Sequence, residues 1–477
     1  MIGKQVTTSL KWLTSAKVVG QIFAAAASLV VIRILEPSDY GLMAMATVIL
    51  GLILLLNEMG LGSALVQQKE LSRLEMERVF GLLLLVNIGL ALLLCLAAPL
   101  VAAFFDEPRV TPIIQVLALK LPLMALLVVP RSILRREMLF KRKSMVDLAR
   151  MLVGSATTLV FAVSGFGVWS IVYGILAGGV AQVIGTYAVS PVRVRPRFSL
   201  QGMHKQLTFG GWVTVDSILW YGYTHADIVI VGRMLGHEIL GVYSVAKRIV
   251  SMPLDRLGGM VKEVGFSAYS SANRDGLAIP DYYCKAARMA SFFAFPVFFG
   301  AAAIAPDAVP IILGEKWVGI IVPLQLLALT LPLRQLNTIN TPALMGVGRP
   351  DVNVVNLLFA CAIMPLAFLI GARWGLIGVC LAWVIAYPAY FLIMLARSLP
   401  VLGVRFRDYF QAVWPSAVTG AAMVGVVETA RIAIADATIA PAMVLLLLVA
   451  LGTLGYGLAV LLFNRAQLRE VLAVIRR

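Results

Sequence analysis

Residues 79–104 read VFGLLLLVNIGLALLLCLAAPLVAAF, with no charged position among them. A run this long and this apolar is at home in one solvent. A helix needs roughly 20 such residues to cross the hydrocarbon of a bilayer. In lipid, only a helix or a closed barrel satisfies its own backbone. Comparable runs recur along the chain and predict spans near 10–33, 41–66, 79–104, 111–131, 146–165 and 168–190. A second set is predicted near 207–232, 239–263, 286–306, 319–344, 352–371 and 376–397, and two more near 411–430 and 441–463. The fold class expected is therefore an all-α integral membrane protein of about 14 transmembrane helices. Composition agrees: the chain is 60% hydrophobic and only 13% charged, against roughly 25% charged for a soluble domain.

The first two sets are copies of one unit. Residues 33–46, RILEPSDYGLMAMA, align with 233–246, RMLGHEILGVYSVA, so that Arg33 meets Arg233, Gly41 meets Gly241 and Ala46 meets Ala246. Residues 115–126, QVLALKLPLMAL, align with 325–336, QLLALTLPLRQL, repeating Gln115, Leu117, Ala118 and Pro122. Leucine matches are cheap in an apolar chain, whereas Gln, Pro and the Arg–Gly spacing are not. The repeat divides the chain into an N-lobe over 1–190, a polar basic linker over 191–206, a C-lobe over 207–397, and a remainder over 398–477 holding the last two spans and an amphipathic tail. Because residues 10–33 are the counterpart of 210–233, the first apolar stretch is read as a span rather than a cleaved signal.

The formal net charge is +16. Nucleic-acid binders concentrate such charge on polar domains; here it lies in short loops between apolar runs. One set of loops holds Lys69, Arg73, Arg78, Arg131, Arg135, Arg136, Lys141, Arg142, Lys143, Arg193, Arg195, Arg197, Lys205, Arg405 and Arg407, and the tail adds Arg465, Arg469, Arg476 and Arg477. The opposite ends offer only Arg33, Arg109, Arg233, Lys316, Arg373 and Arg431. By the positive-inside rule both termini are cytoplasmic, and the two repeats are parallel, related by an axis along the membrane normal. The run RREMLFKRK at 135–143 and the tail NRAQLREVLAVIRR suit anionic lipid at that interface. The cysteines Cys95, Cys284, Cys361 and Cys380 lack metal-ligand spacing and read as small buried hydrophobes. No phosphate loop, metal cluster or nucleotide-binding motif is present, so no cofactor is expected. Energy would come from an ion gradient, the membrane potential or the substrate's own gradient.

Ionisable side chains at membrane depth cost about 2.5–3.5 kcal/mol on insertion scales, so each needs a partner or a wet cavity. Lys120 sits about 14 Å into the fourth span. Arg334 lies in its repeat partner, aligned with Met124, one turn from Lys120 on the same face. Each repeat thus aims one cation from one helix face, which predicts an electropositive gap if that face lines it and two separate structural pairs if it does not. Lys17, Lys247, Arg248 and Arg256 complete the candidate anion-binding set. Asp255 has Arg248 or Arg256 as a possible salt-bridge partner, and Lys17 lies at nearly the depth of Asp216. Glu58, Asp216 and Asp227 are the candidate carriers of a coupling proton or sodium ion, since burial raises a carboxyl toward neutrality; a helix-end structural role for Asp227 stays open. Pro122 and Pro332 recur in the repeat and predict paired bends.

Several stretches together resemble one known superfamily: RILEPSDYGLMAMA at 33–46, MGLGSALVQQKEL at 59–71, AAPLVAAFFDEP at 97–108, GFGVWSIV at 165–172 and DIVIVGRMLGHEILGVYSVAKRIVSMPLD at 227–255. The chain resembles the polysaccharide flippases, the Wzx-like exopolysaccharide transporter branch of the multidrug/oligosaccharidyl-lipid/polysaccharide (MOP) exporters. That resemblance implies a V-shaped helical transporter of the MATE type that flips undecaprenyl-diphosphate-linked glycans by alternating access, often coupled to proton or sodium entry. It implies the bacterial inner membrane, feeding of exopolysaccharide, capsule or O-antigen assembly, polymerase and export machinery as partners, and a monomer that is a transporter rather than an enzyme. Two rivals are weighed. A cation-coupled multidrug exporter would want an acidic cavity, and the basic excess argues against it. A membrane-embedded polymerase would want a large outward loop, and none is present.

Overall fold

The computed structural model describes residues 20–57, 72–191, 194–198, 204–274, 279–435 and 439–470, apart from residues 22 and 466, and gives side chains for all of these but 204–216, 254–268 and 270–274. Lys17 and Glu58 lie outside the described residues, and Asp216, Asp255 and Arg256 are placed in a helix with no side chain described. Most of the described residues are helical, and none of them is in a strand.

In chain order the helices are α1 (Phe23–Ile34), α2 (Pro37–Asn57), α3 (Arg73–Phe105), α4 (Val110–Ala118), α5 (Lys120–Arg136), α6 (Phe140–Val163), α7 (Val168–Val189) and α8 (His204–Arg274). They continue with α9 (Ile279–Ile312), α10 (Ile321–Gly346), α11 (Pro350–Gly371), α12 (Gly375–Val401), α13 (Phe406–Ala433) and α14 (Pro441–Phe463). Among the described residues, 11 stretches are long and apolar enough to cross a membrane. One of these, Ser217–Pro253, turns at Gly236, and another, Pro350–Val401, holds both α11 and α12. Lipid-facing residues are evident on single helix stripes. Leu92, Leu96 and Leu100 of α3, and Leu446, Leu454 and Leu458 of α14, are all at least 60% exposed, as befits side chains whose partner is hydrocarbon rather than protein.

Local sequence explains the boundaries. Ser72 caps α3 in a capping box: its Oγ accepts from the Glu75 N–H at 3.1 Å, and the Ser72 N–H donates to Glu75 Oε2 at 3.0 Å. The helix ends at Asp106, which takes a left-handed φ of 56°. Gly236 takes φ 82° and ψ 177°, a conformation open to glycine and strained for other residues. Its repeat counterpart is Glu36, which sits between α1 and Pro37 at the start of α2. The two repeats thus turn at the same place with different chemistry.

The recurring prolines do not act alike. Near Pro122 the helix breaks: Leu119 is a turn, and its N–H closes a short bond to the Val116 carbonyl at 3.2 Å. Pro332 lies inside α10, which runs unbroken from Ile321 to Gly346. The hydrogen-bond ladder is thus interrupted beside the first proline and the helix is continuous through the second, while Leu119 itself keeps helical angles of φ −59° and ψ −19°. A proline frees its i−4 carbonyl in both cases, and the local packing decides how the helix responds.

The chain forms two compact units, Met1–Gly241 and Val242–Arg477, with the boundary inside α8. In the first, Val79, Phe80, Leu82 and Leu83 of α3 pack against Ala125, Val128, Val129 and Ile133 of α5. Residues 194–198 run back along α3: Val194 packs on this cluster, and the Arg197 N–H donates to the Glu77 carbonyl at 2.8 Å. Gly154 of α6 meets Gly174 and Gly178 of α7 backbone to backbone, the close approach that small residues allow between helices in lipid. The same unit holds a reciprocal contact: a Cβ on Gly41 would overlap the His237 carbonyl oxygen, and a Cβ on Gly241 would overlap the Pro37 carbonyl oxygen. Each glycine meets the repeat counterpart of the residue that the other one meets.

In the second unit the largest fully buried side chains are Trp317, Trp383, Tyr243, Tyr283, Tyr387, Phe298 and Phe368. The described part of the tail packs against α9 and α13. Gln467 donates to the Ala412 carbonyl at 2.7 Å and accepts from Ser416 Oγ at 2.8 Å and Asn464 Nδ2 at 2.6 Å. Ser291 Oγ reaches Ser416 Oγ at 3.2 Å, and Arg288 pairs with Glu470 at 3.2 Å. Amides and hydroxyls buried among helices must find one another, and the tail supplies the amide that completes this set.

Candidate functional site

The second unit brings two of the sequence candidates onto one aromatic ring. Trp383 of α12 is fully buried, and its indole N–H donates to the Tyr243 hydroxyl at 2.9 Å. Phe368 and Tyr387 pack against it, with ring centroids 5.1 and 5.7 Å away. The Arg334 guanidinium lies over the ring at 4.6 Å from its centroid, and the Lys247 ammonium at 5.9 Å. Both are within cation–π reach. Arg334 sits about 20 Å along α10 and Lys247 about 15 Å past the turn at Gly236, at 1.5 Å per residue. Both are half-buried. Arg334 has no ion pair among the described residues; the ring is what it touches. One turn on, Asn337 donates to the Tyr387 hydroxyl at 3.3 Å, and the buried Gln335 carbonyl oxygen has no donor among the described residues.

The first unit holds Lys120 at the first position of α5, directly after the break at Leu119. Lys120 is half-buried and has no ion pair among the described residues, and its electrostatic neighbour is a second cation, Arg150. Arg248 is exposed on α8. Asp227 is fully buried, two and a half turns before Gly236, and its Oδ1 accepts from the Ile228 N–H at 2.8 Å. His225, three residues from the Asp227 backbone bond, stacks on Tyr221 at 3.9 Å between ring centroids.

Sequence reasoning singled out Arg334, Lys247 and Lys120 because charge stands out in an apolar run. It passed over Trp383, since an aromatic in such a run is ordinary core. A signal was present: Trp383, Tyr387 and Tyr390 recur at i, i+4 and i+7, one face of a helix. A second cluster was also missed. Glu107 binds Arg109 through Oε1 at 2.8 Å and Oε2 at 3.0 Å, and Oε2 also meets His237 Nδ1 at 2.9 Å. Arg109 Nη2 in turn meets His237 Nε2 at 2.9 Å. The Arg109 hydrogen bond holds the Glu107 carboxyl below its ordinary range, and that bond raises Arg109 in turn.

The chain is a multi-pass helical membrane protein, with 11 stretches among the described residues long and apolar enough to cross a membrane. The comparisons make the class specific. The chain belongs to the polysaccharide biosynthesis protein family, whose profile matches residues 30–322. It is 26% identical over 428 residues to the lipopolysaccharide biosynthesis protein WzxC of Escherichia coli K12, covering 86% of this chain and 84% of that one. It is 26% identical over 351 residues to the succinoglycan biosynthesis transport protein ExoT of Rhizobium meliloti strain 1021, covering 73% and 71%. In fold it is similar to the lipid II flippase MurJ in an inward closed conformation, with a TM-score of 0.76 at 15% identity, covering 95% of this chain and 98% of that one. An inward-facing MATE multidrug transporter follows with a TM-score of 0.64 at 18% identity, covering 80% and 95%.

Proposed function

We propose that this chain is a flippase that carries undecaprenyl-diphosphate-linked oligosaccharide repeat units across the bacterial inner membrane by alternating access, for exopolysaccharide, capsule or O-antigen assembly. The observation that carries the reading is Arg334, a half-buried guanidinium at mid-membrane depth with an aromatic ring in place of an acid. Such a group is costly to bury, and a diphosphate is the anion whose geometry a guanidinium matches through paired hydrogen bonds. Lys247 beside it and Lys120 in the first unit add point charges of the same sign. On this reading the protein is a transporter that needs no cofactor and hands its product to polymerase and export machinery. If a proton or sodium ion drives it, Asp227 is the described acid best buried to carry that ion.

Deleting the gene from its host is expected to stop polysaccharide export and to leave lipid-linked repeat units accumulated on the inner face. Arg334→Ala and Lys120→Ala should insert at normal levels and fail to restore export. Normal output from both variants would remove these residues from the site, and a deletion strain that accumulates no lipid-linked intermediate would remove the function. The likeness to MATE transporters in fold favours a second reading, a cation-coupled drug exporter. It predicts a drug-sensitive deletion strain with unchanged polysaccharide.

A further inference from the structure

In the first unit, Lys120 has a cation for a neighbour. Lys120 opens α5 and is half-buried, and Arg150 lies exposed about 15 Å along α6, at 1.5 Å per residue. Neither side chain makes a hydrogen bond or an ion pair among the described residues. Packing on α7 brings the two together. A Cβ on Gly178 would lie 3.1 Å from the Arg150 carbonyl oxygen and 3.6 Å from its Cγ, and a Cβ on Gly179 would lie 3.4 Å from Leu123 Cδ1. Leu123 is one turn from Lys120 on α5. Two adjacent glycines thus seat α5 and α6 side by side, with Lys120 and Arg150 near enough to act on one another electrostatically. The acid one turn before Arg150 is already engaged. Asp147 accepts from Lys143 Nζ at 2.9 Å and from Gln182 Nε2 at 3.0 Å, and it pairs with Arg131 at 3.8 Å. It serves two cations with one charge and has none left for a third. Like charges beside one another repel, and each at this depth needs water or an anion.

We propose that Arg150 is an anion-binding residue, and that with Lys120 it forms a two-cation site on the α5–α6 wall for the diphosphate of a lipid-linked glycan. The inference rests on the flippase reading above and deepens it. A sugar-linked diphosphate carries two negative charges and neutralises both cations, whereas a phosphodiester head group carries one and leaves a cation unmatched. Arg150 supplies the fork that grips paired phosphate oxygens, and Lys120 supplies a point charge. Asp147, by holding Arg131 and Lys143, leaves the deeper pair as the place where an anion gains most.

The test measures binding of a polyprenyl diphosphate and of phosphatidylglycerol to the purified full-length protein in detergent. Wild type, Lys120→Gln, Arg150→Gln and Arg150→Lys are compared, and each is melted without ligand. Arg349→Gln controls for net charge, since Arg349 is exposed and paired with Asp351 at 2.8 Å. Wild type is expected to prefer the diphosphate. Each of Lys120→Gln and Arg150→Gln should weaken diphosphate binding about tenfold with phosphatidylglycerol binding unchanged. Arg150→Lys should keep most of the affinity, and Arg349→Gln all of it. Without ligand, the two Gln variants at the site should melt at or above the wild-type temperature, because removing one of two like charges relieves their repulsion. If Arg150→Gln binds diphosphate like wild type, or Arg349→Gln loses as much as it does, the inference fails and the flippase reading stands. If Arg150→Gln loses both lipids together with thermal stability, Arg150 is a packing residue and the inference also fails. A wild type that binds phosphatidylglycerol as tightly as the diphosphate makes this a general head-group site and overturns the assignment. A wild type that binds no polyprenyl diphosphate overturns the flippase reading itself.

Discussion

His237 illustrates how hydrogen-bond polarity favours one tautomer. Arginine only donates, so His237 Nε2 must accept from Arg109 Nη2, and the ring proton sits on Nδ1, where it is donated to Glu107. Glu107 is therefore the acceptor on which the whole cluster depends, and it is buried. Its carboxyl lies below its ordinary value of 4.5, first because of the Arg109 hydrogen bond, and so favours the ionised form when folded. The sign follows: a lowered carboxyl contributes stability above its unfolded value and loses that contribution as pH falls through the folded one. Glu107→Gln is expected to cost about 1–2 kcal/mol at pH 7. Thermal unfolding in detergent at descending pH should show the gap between variant and wild type closing below 4.5. A gap that stays constant down to acid pH would mean the carboxylate is not what stabilises this loop.

At the scale of elements, the reciprocal approach of Gly41 and Gly241 joins the start of α2 to the α8 residues that follow Gly236. A methyl on either glycine would meet backbone, which cannot turn aside as a side chain can. Gly41→Ala and Gly241→Ala are each expected to destabilise by about 1–3 kcal/mol and to lower export, whereas Gly89→Ala, with open space around its Cβ, should be neutral. Equal melting temperatures for all three would show that the approach is not tight. This pair was legible in the sequence, because backbone contact demands glycine and the demand appears once in each repeat. Helix existence was legible for the same kind of reason: lipid leaves a spanning chain no alternative to hydrogen bonding within itself. What could not be read was the response to proline. Pro122 and Pro332 are identical in sequence terms, yet one neighbours a break and the other a continuous helix. The site was half legible. Charge marks Arg334 and Lys247 from composition alone, but the ring they share lies 49 and 136 residues further along the chain, a proximity that only packing creates.

For the whole molecule, the distribution of cations predicts which face is inside. α6 has 24 residues, about 36 Å at 1.5 Å each, and α11 has 22, about 33 Å. Both exceed the roughly 30 Å of hydrocarbon, so the two ends of each helix lie on opposite faces. The α5–α6 end gathers Arg135, Arg136, Lys141, Arg142 and Lys143, while the α6–α7 turn at 164–167 has no cation. The α10–α11 end has Arg349 and the α11–α12 end Arg373, so the count around α11 is balanced, and the orientation expected of the second unit leans on Arg405 and Arg407 one helix later. Two of the cations at the sparser ends are bound to acids: Arg109 to Glu107, and Arg431 to Asp307 and Glu428. Acids contribute little to the rule, so that pairing does not alter the expectation; the count of cations does. Single cysteines test it in a background where Cys95, Cys284, Cys361 and Cys380 are replaced, all four being free thiols that are buried or half-buried. Phe166→Cys and Trp374→Cys are expected to react with a membrane-impermeant maleimide added to intact cells, and Met138→Cys and Arg349→Cys only after permeabilisation. All four positions are exposed. The reverse pattern would place the basic loops outside, and with them every inference about which face first receives the substrate; labelling at both ends of α6 from outside would mean that α6 does not cross the membrane.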